Sequence, residues 1–391
     1  MQLSKEEAQQ IILHAQGLSR ADVFGKTITG TLKTIQHLGY VQLDTLAVIA
    51  RAHHHTLWTR NSSYAEKHLG QLLEDRKVFE YWSHAASYLP MEDFRFSLPR
   101  KARYLSGHAH WFSKNRKLMK FVIDRIRTEG PLQSKDFETD RKRGSWFDWK
   151  PAKIALEQLF MEGSLMVKSR KGFQKVYDLT ERVVPSSVNQ SKPTTDEHAK
   201  YLVQFNLRAL GIATMKDFTH LRTDLSPVIA KTVARMLKEG EILACSINGI
   251  KEPYYILPAT KTNGKIPAGK PLHILNPFDN FVIRRERISK IFDWSYNLEC
   301  YLPEPKRKFG YFCLPVLHDG KFAGMFDPKA DRATGIFHVK KMYVEKHAVN
   351  ANFANAFVAR LNEFARYNGC EEVVIDKTVA APLRKLLKGF H

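Results

Sequence analysis

A carboxamide and a carboxylate stand two positions apart in Val41-Gln42-Leu43-Asp44. Side chains on an extended segment alternate between faces. Gln42 and Asp44 then project together, while Val41 and Leu43 share the opposite, apolar face. Such a pair has chemical uses. An ionised aspartate can oppose developing positive charge or take a proton from water, and a carboxamide can donate and accept to hold that water. The chain runs on through Arg51, His53, His54, His55, Trp58 and Arg60, a set of hydrogen-bond donors around an aromatic. The plain alternative is a half-buried strand with a solvated polar face, and residue types alone leave both open. Three successive histidines invite a metal. If Gly39 to Arg60 is two or more strands, however, His54 faces away from His53 and His55 and at most two converge. Contact with phosphate or sugar suits them better, and neither a metal nor a cofactor is expected.

The elements that must position these residues follow from periodicity. Apolar spacing predicts helices over 5–18 and 28–38, the first capped by Ser4. Further helices are expected over 64–76, 115–129, 151–162, 196–210 and 227–239, with short ones at 133–138 and 215–221. Hairpins are expected over 163–179 and 240–257. A polar loop is expected at 139–150. Gly163, Leu165, Gly172 and Tyr177 align with Gly240, Ile242, Gly249 and Tyr254 at one constant offset. Leu32, Ile35, Gly39 and Val41 fit the same frame. Helix, short helix, helix, hairpin is the winged-helix order, whose third helix can enter a DNA groove. The fold expected is α+β: three tandem winged-helix units over 1–110, 111–190 and 191–262, then a small C-terminal antiparallel β-barrel with terminal helices over 263–391. In that last part LHIL, FVIRR, NLECYL, GYFCLPVL, KFAGMFD and GIFHVKKMYV look like strands. A helix is expected at 349–367, a short strand at 373–375 and a last helix at 379–388. The strand after each aligned glycine reads VQLD, LMVK and ILAC. Only the first carries an amide and a carboxylate, and such a departure from a repeated scaffold is expected at a functional site.

Composition narrows the partners. The 391 residues carry a formal charge of +21, with 43% hydrophobic residues, enough for ordinary cores in about two to four domains. Basic runs at Arg141 to Arg143, Lys168 to Lys171, Arg284 to Arg287 and Lys306 to Lys308 point to a polyanion, most often nucleic acid. Cys245, Cys300, Cys313 and Cys370 are far apart, which argues against a zinc ribbon or iron–sulfur cluster and suits a reducing cytoplasm. No run of about 18 apolar residues is present, so no membrane span is expected. The N-terminus lacks the basic and apolar regions of a signal peptide.

At this point the residues carry a family likeness. VQLD followed by RAHHHTLWTR, then EYWSHAASYLP, NPFDNFV with Arg285 and Arg287, FDWSYNLECYLPEPKRKFGYFCLPVL and FDPKADR resemble the YcaQ/AlkZ-type winged-helix DNA glycosylases, over nearly the whole chain. The resemblance implies release of alkylated bases and unhooking of interstrand crosslinks. It implies a catalytic motif of Gln, an apolar residue, then Gln or Asp, here Gln42-Leu43-Asp44 in the Asp form of the YcaQ-like branch. One departure is Gly324-Met325, where the resemblance leads one to expect Gly-Arg.

The chemistry implied is monofunctional. An N7-alkylated guanine is cationic and leaves without a general acid. Ionised Asp44 would stabilise the oxocarbenium-like sugar and orient or deprotonate water, with Gln42 holding that water or the sugar phosphate. Arg51, His53, His54, His55, Arg60, Arg285, Arg287, Lys306, Arg307 and Lys308 would grip DNA. The partner expected is double-stranded DNA with alkylated or crosslinked guanine, met by a monomer in a bacterial cytoplasm. A non-enzymatic regulator built of tandem winged helices suits the composition equally well, but has no need of Gln42 and Asp44. A nuclease would need an acidic cluster for two metals, and none is evident.

Overall fold

Ser4 starts the first helix, Lys5–Ala15, through a capping box: its hydroxyl accepts from the Glu7 amide, and the Glu7 carboxylate accepts from the Ser4 amide. In the computed structural model of the protein, residues 1–107, 112–137, 151–220, 223–261 and 271–376 are described. The expected loop at 139–150, the basic run at 141–143 and the expected helix at 379–388 lie outside them. The contacts divide the chain into two units, Met1–Tyr64 with Leu202–His391, and Ala65–Tyr201.

In the first unit, helix Thr27–Leu38 buries Ile35 and Leu38 and stops at Gly39, which adopts a left-handed φ of 73°. Only glycine fits there twice over, because a Cβ would run into the Phe205 ring. Strand Val41–Gln42 follows, then an irregular stretch, then helix Ala52–Arg60. A four-stranded sheet runs in the order Gln2–Leu3, Leu243–Ile247, Ile250–Ile256, Ile212–Ala213. A five-stranded sheet runs Leu272–Ile274, Leu314–His318, Lys321–Asp331, Ile336–Val344, Glu372–Ile375 in sequence order, its last strand parallel to the one before. Helix Ala351–Tyr367 lies against it, with Phe357 and Phe364 edge-on to Phe326 and Phe337 at 5.4 and 5.7 Å.

The second unit holds helix Glu66–Glu74, the hairpin Val78–Trp82 with Ala86–Pro90, and helices Leu98–Leu105 and Arg116–Glu129. After these come the 3-10 turn Ser134–Phe137, helix Pro151–Glu162 and the hairpin Leu165–Lys171 with Gln174–Leu179. The run Lys168 to Lys171 is partly neutralised within it: Arg170 makes a two-pronged bond to the buried Glu80, and Lys168 lies 3.6 Å from Asp178.

Four expectations are corrected. Gly39 to Arg60 contains a two-residue strand and a helix, because the apolar Ala52, Leu57 and Trp58 and the histidines bury nearly every side chain of Ala52–Arg60 at once, which a half-exposed strand cannot do. FVIRR is a turn leading into helix Arg285–Phe292, whose buried Ile288 and Ile291 are three apart. NLECYL forms no strand. The C-terminal sheet is a half-barrel, since its first and last strands do not pair. Met325 is 4% exposed on Lys321–Asp331, in register with Pro315 and Tyr343, where the thioether packs as core.

Candidate active site

Gln42 and Asp44 leave the strand differently. Gln42 is buried, 7% exposed, on the last strand residue. Asp44 falls beyond the strand, half-buried, and its Oδ1 accepts from the Leu46 amide at 2.8 Å in an Asx turn. The stretch is tied down on both sides. The Tyr40 carbonyl accepts from Asn280 at 3.0 Å, and the Ala50 amide donates to Asn368 at 2.6 Å. Burial pushes the Asp44 carboxyl above the usual aspartate range, while the Leu46 and Thr45 amides pull it back.

Asp44 has two neighbours, Cys300 and Tyr301, to which sequence reasoning assigned no role. Its charge acts on the Cys300 thiol and the Tyr301 hydroxyl, both already raised by desolvation, and the Arg285 guanidinium opposes it at both. Arg285 itself lies 5.6 Å from the Tyr296 ring. Tyr296 is core, its hydroxyl bonded to the Cys313 carbonyl at 2.7 Å, but Tyr301 is 75% exposed. The signal in the sequence was the interrupted pattern of NLECYLPEP, in which no alternation survives the prolines. Asp44 and Arg285 thus both act on Cys300 and Tyr301.

The donors of RAHHHTLWTR do something else. Arg60 is 1% exposed and spends its guanidinium internally, on Asp279 at 2.7 and 2.9 Å, the Gln16 carbonyl at 2.7 Å and the Thr56 carbonyl at 3.1 Å. His55 is fully buried, Nε2 donating to the Ile274 carbonyl at 2.9 Å and its ring 4.6 Å from Phe364. Burial pushes it down to about 4, so it is neutral. His53 is 2% exposed, and His54, also lowered to about 4 by burial, bonds the Tyr64 hydroxyl at 2.6 Å. Arg287 is buried, donating to the Leu210 carbonyl at 2.8 Å and facing Asp217 at 3.5 Å. The expectation that Arg60, His53, His55 and Arg287 touch DNA is therefore corrected: all four are buried, Arg60 and His55 spend their donors on internal oxygens, and Arg287 is turned inward to the Leu210 carbonyl and Asp217. Arg51, partly exposed, precedes the helix as its N-cap residue. Lys306 and Lys308 are exposed, while Arg307 donates to the Leu302 carbonyl at 2.9 Å and covers the Tyr311 ring at 4.8 Å.

Among the described residues no three His, Cys, Asp or Glu side chains stand close enough to hold a metal, and no helix is long and apolar enough to cross a membrane. A family model for AlkZ-like DNA glycosylases matches residues 35–367. The chain belongs to the AlkZ-like DNA glycosylase family. Its fold is similar to that of the Streptomyces sahachiroi DNA glycosylase AlkZ, with a TM-score of 0.63 at 14% identity, covering 97% of this chain and 100% of that one.

Proposed function

We propose that the protein is a monofunctional glycosylase that hydrolyses the N-glycosidic bond of N7-alkylated guanine in duplex DNA, crosslinked guanine included, and leaves an abasic site. The observation that carries this reading is Asp44: a half-buried carboxylate, oriented by an Asx turn, whose field reaches an exposed tyrosine. In the proposed reaction the bond from C1′ to N9 breaks and its electron pair goes to the base, which departs as neutral 7-alkylguanine. Asp44 opposes the positive charge on the sugar, and water adds to C1′ while giving a proton to Asp44 or solvent. Gln42 holds that water or the sugar phosphate. On this reading 1–110, 111–190 and 191–262 are winged-helix units ahead of the half-barrel, and the protein works as a monomer in the cytoplasm. Lys306, Arg307, Lys308, Arg285, Arg51 and the partly exposed edge of His54 are the proposed DNA contacts.

The test is incubation with duplexes carrying 7-methylguanine or a nitrogen-mustard crosslink, followed by alkaline strand cleavage. Alkali-labile breaks at the lesion are expected. Tight binding with no breaks on either duplex would overturn the enzymatic reading in favour of a DNA-binding regulator.

A further inference from the structure

We propose that Tyr301, with Leu302 beside it, is a wedge that enters the base stack of duplex DNA next to Asp44. The loop that carries it is tied at its base. Glu299, 8% exposed, accepts from the amides of Phe309 and Gly310 at 2.8 and 3.3 Å. Asp327, 6% exposed, accepts from the amides of Tyr311 and Phe312, both at 2.9 Å. Gly310, with φ 152°, is where the returning chain passes over the Asp327 carboxylate, and a Cβ there would lie 2.5 Å from Oδ2. Arg307 ties the near side of the loop to the Leu302 carbonyl. Two buried carboxylates thus close the loop at its base, and a guanidinium braces its tip.

A loop so held has fixed where its apolar residues point. Tyr301 is 75% exposed, the most exposed large apolar side chain among the described residues, and Leu302 is 42% exposed. Folding ordinarily covers such surface. Here two such side chains stand out next to each other on a loop tied at its base. On the same loop, Lys306 and Lys308 are exposed cations. A ring and an aliphatic side chain flanked by cations match a base stack flanked by phosphates. Apolar side chains can enter and part base steps, and aromatic rings can stack on the exposed base. The Tyr301 hydroxyl lies within the field of the Asp44 carboxylate, so a wedge here would open the helix on the side of that carboxylate. A crosslinked guanine cannot rotate fully out of the duplex. Parting the neighbouring step would expose its sugar without a full flip, and this purpose rests on the glycosylase reading above.

The experiment uses the full-length protein and duplexes containing 2-aminopurine beside a tetrahydrofuran abasic analogue or beside an undamaged guanine, at saturating protein. Wild type should raise 2-aminopurine emission severalfold on the analogue duplex. Tyr301→Ala should lose most of that rise and bind the analogue duplex about tenfold more weakly, whereas Tyr301→Phe should keep both. Thermal melting should be unchanged, because the side chain is exposed. The double variant Lys306→Ala/Lys308→Ala should weaken binding but keep the emission rise at saturation. Emission in Tyr301→Ala equal to wild type, or no rise in wild type at saturation, overturns the wedge. The readout needs no base release. A Tyr301-dependent rise in a protein that releases no base would support the wedge and refute the reaction, and base release without the rise would do the reverse.

Discussion

Asp44→Asn keeps the shape of the side chain, and its amide oxygen can still accept from Leu46, so the turn survives while the charge is lost. Removing a preorganised electrostatic partner commonly costs on the order of 100-fold or more in rate. Single-turnover release of 7-methylguanine should slow by that much, with DNA binding unchanged or tighter, since a negative charge near phosphates is gone. Gln42→Ala should slow release less. Full activity in Asp44→Asn would sink the mechanism. Because burial raises the Asp44 carboxyl, the rate should fall on acidification with a midpoint above that of an ordinary aspartate, and this limb should vanish in Asp44→Asn. In the other unit, Lys101 is 4% exposed with its Nζ 4.1 Å from the Phe94 ring centroid and 4.8 Å from that of Tyr81. No hydrogen-bond partner meets that Nζ among the described residues. Burial pushes it down to about 7, while the ring faces oppose that by favouring the cation. The unfolded chain then holds a proton that the folded one lacks between about 7 and 10.5, so stability should climb with pH across that window. Lys101→Met should flatten the climb and raise stability near pH 7 by on the order of 1 kcal/mol or more. Denaturant melts at several pH values check it, and an unchanged slope would show that Lys101 does not set it.

Helix Ala52–Arg60 shows how an element can carry a conspicuous motif for structural ends. Its His55 and Arg60 reach residues far along the chain, Ile274 and Asp279, and so fasten the segment that follows Asp44 to the half-barrel side of the same unit. Arg60→Met leaves Asp279 buried and unpaired, which should cost about 3–5 kcal/mol. His55→Ala should cost about 2–4 kcal/mol through the cavity beside Phe364 and the lost bond to the Ile274 carbonyl, which keeps only the Thr59 hydroxyl at 3.2 Å. Neither loss should depend on DNA, and urea unfolding would reveal it; variants as stable as wild type would return these residues to the surface. His54 and His55 are depressed from 6.5 to about 4, so the folded state resists protons that the unfolded chain takes. Their contribution is fully present above pH 6.5 and is lost as pH falls towards 4. The helices with regular apolar spacing, such as Thr27–Leu38 and Pro151–Glu162, were legible within a residue. Ala52–Arg60 was not, because a helix buried on nearly all sides has no polar face to mark its period. The candidate carboxylate was legible from the contrast of VQLD with its two aligned strands. Of its surroundings only Arg285 was singled out; Cys300 and Tyr301 were not, because they arrive from more than two hundred positions away on a loop that looks like a strand.

At the scale of the molecule, the formal charge of +21 is the property a polyanion meets first. Part of the basic complement is spent inside: Arg60 on Asp279, Arg170 on Glu80, Arg284 and Arg287 on Asp217. These pairs cannot release counterions from DNA. What remains includes Lys306 and Lys308, exposed and without an acid partner among the described residues. If about six such groups neutralise phosphates, the logarithm of affinity for undamaged duplex should fall against the logarithm of salt with a slope near −5. Each exposed cation removed should reduce that slope by about one. Lys306→Ala/Lys308→Ala should therefore shallow it by about two. Arg170→Met should leave it unchanged once matched for folding, because its charge already faces Glu80. Fluorescence-anisotropy titrations between low and moderate salt measure both slopes. A flat dependence in wild type would mean that the excess charge is a solvated surface, and that whatever binds beside Asp44 is not held through its phosphates.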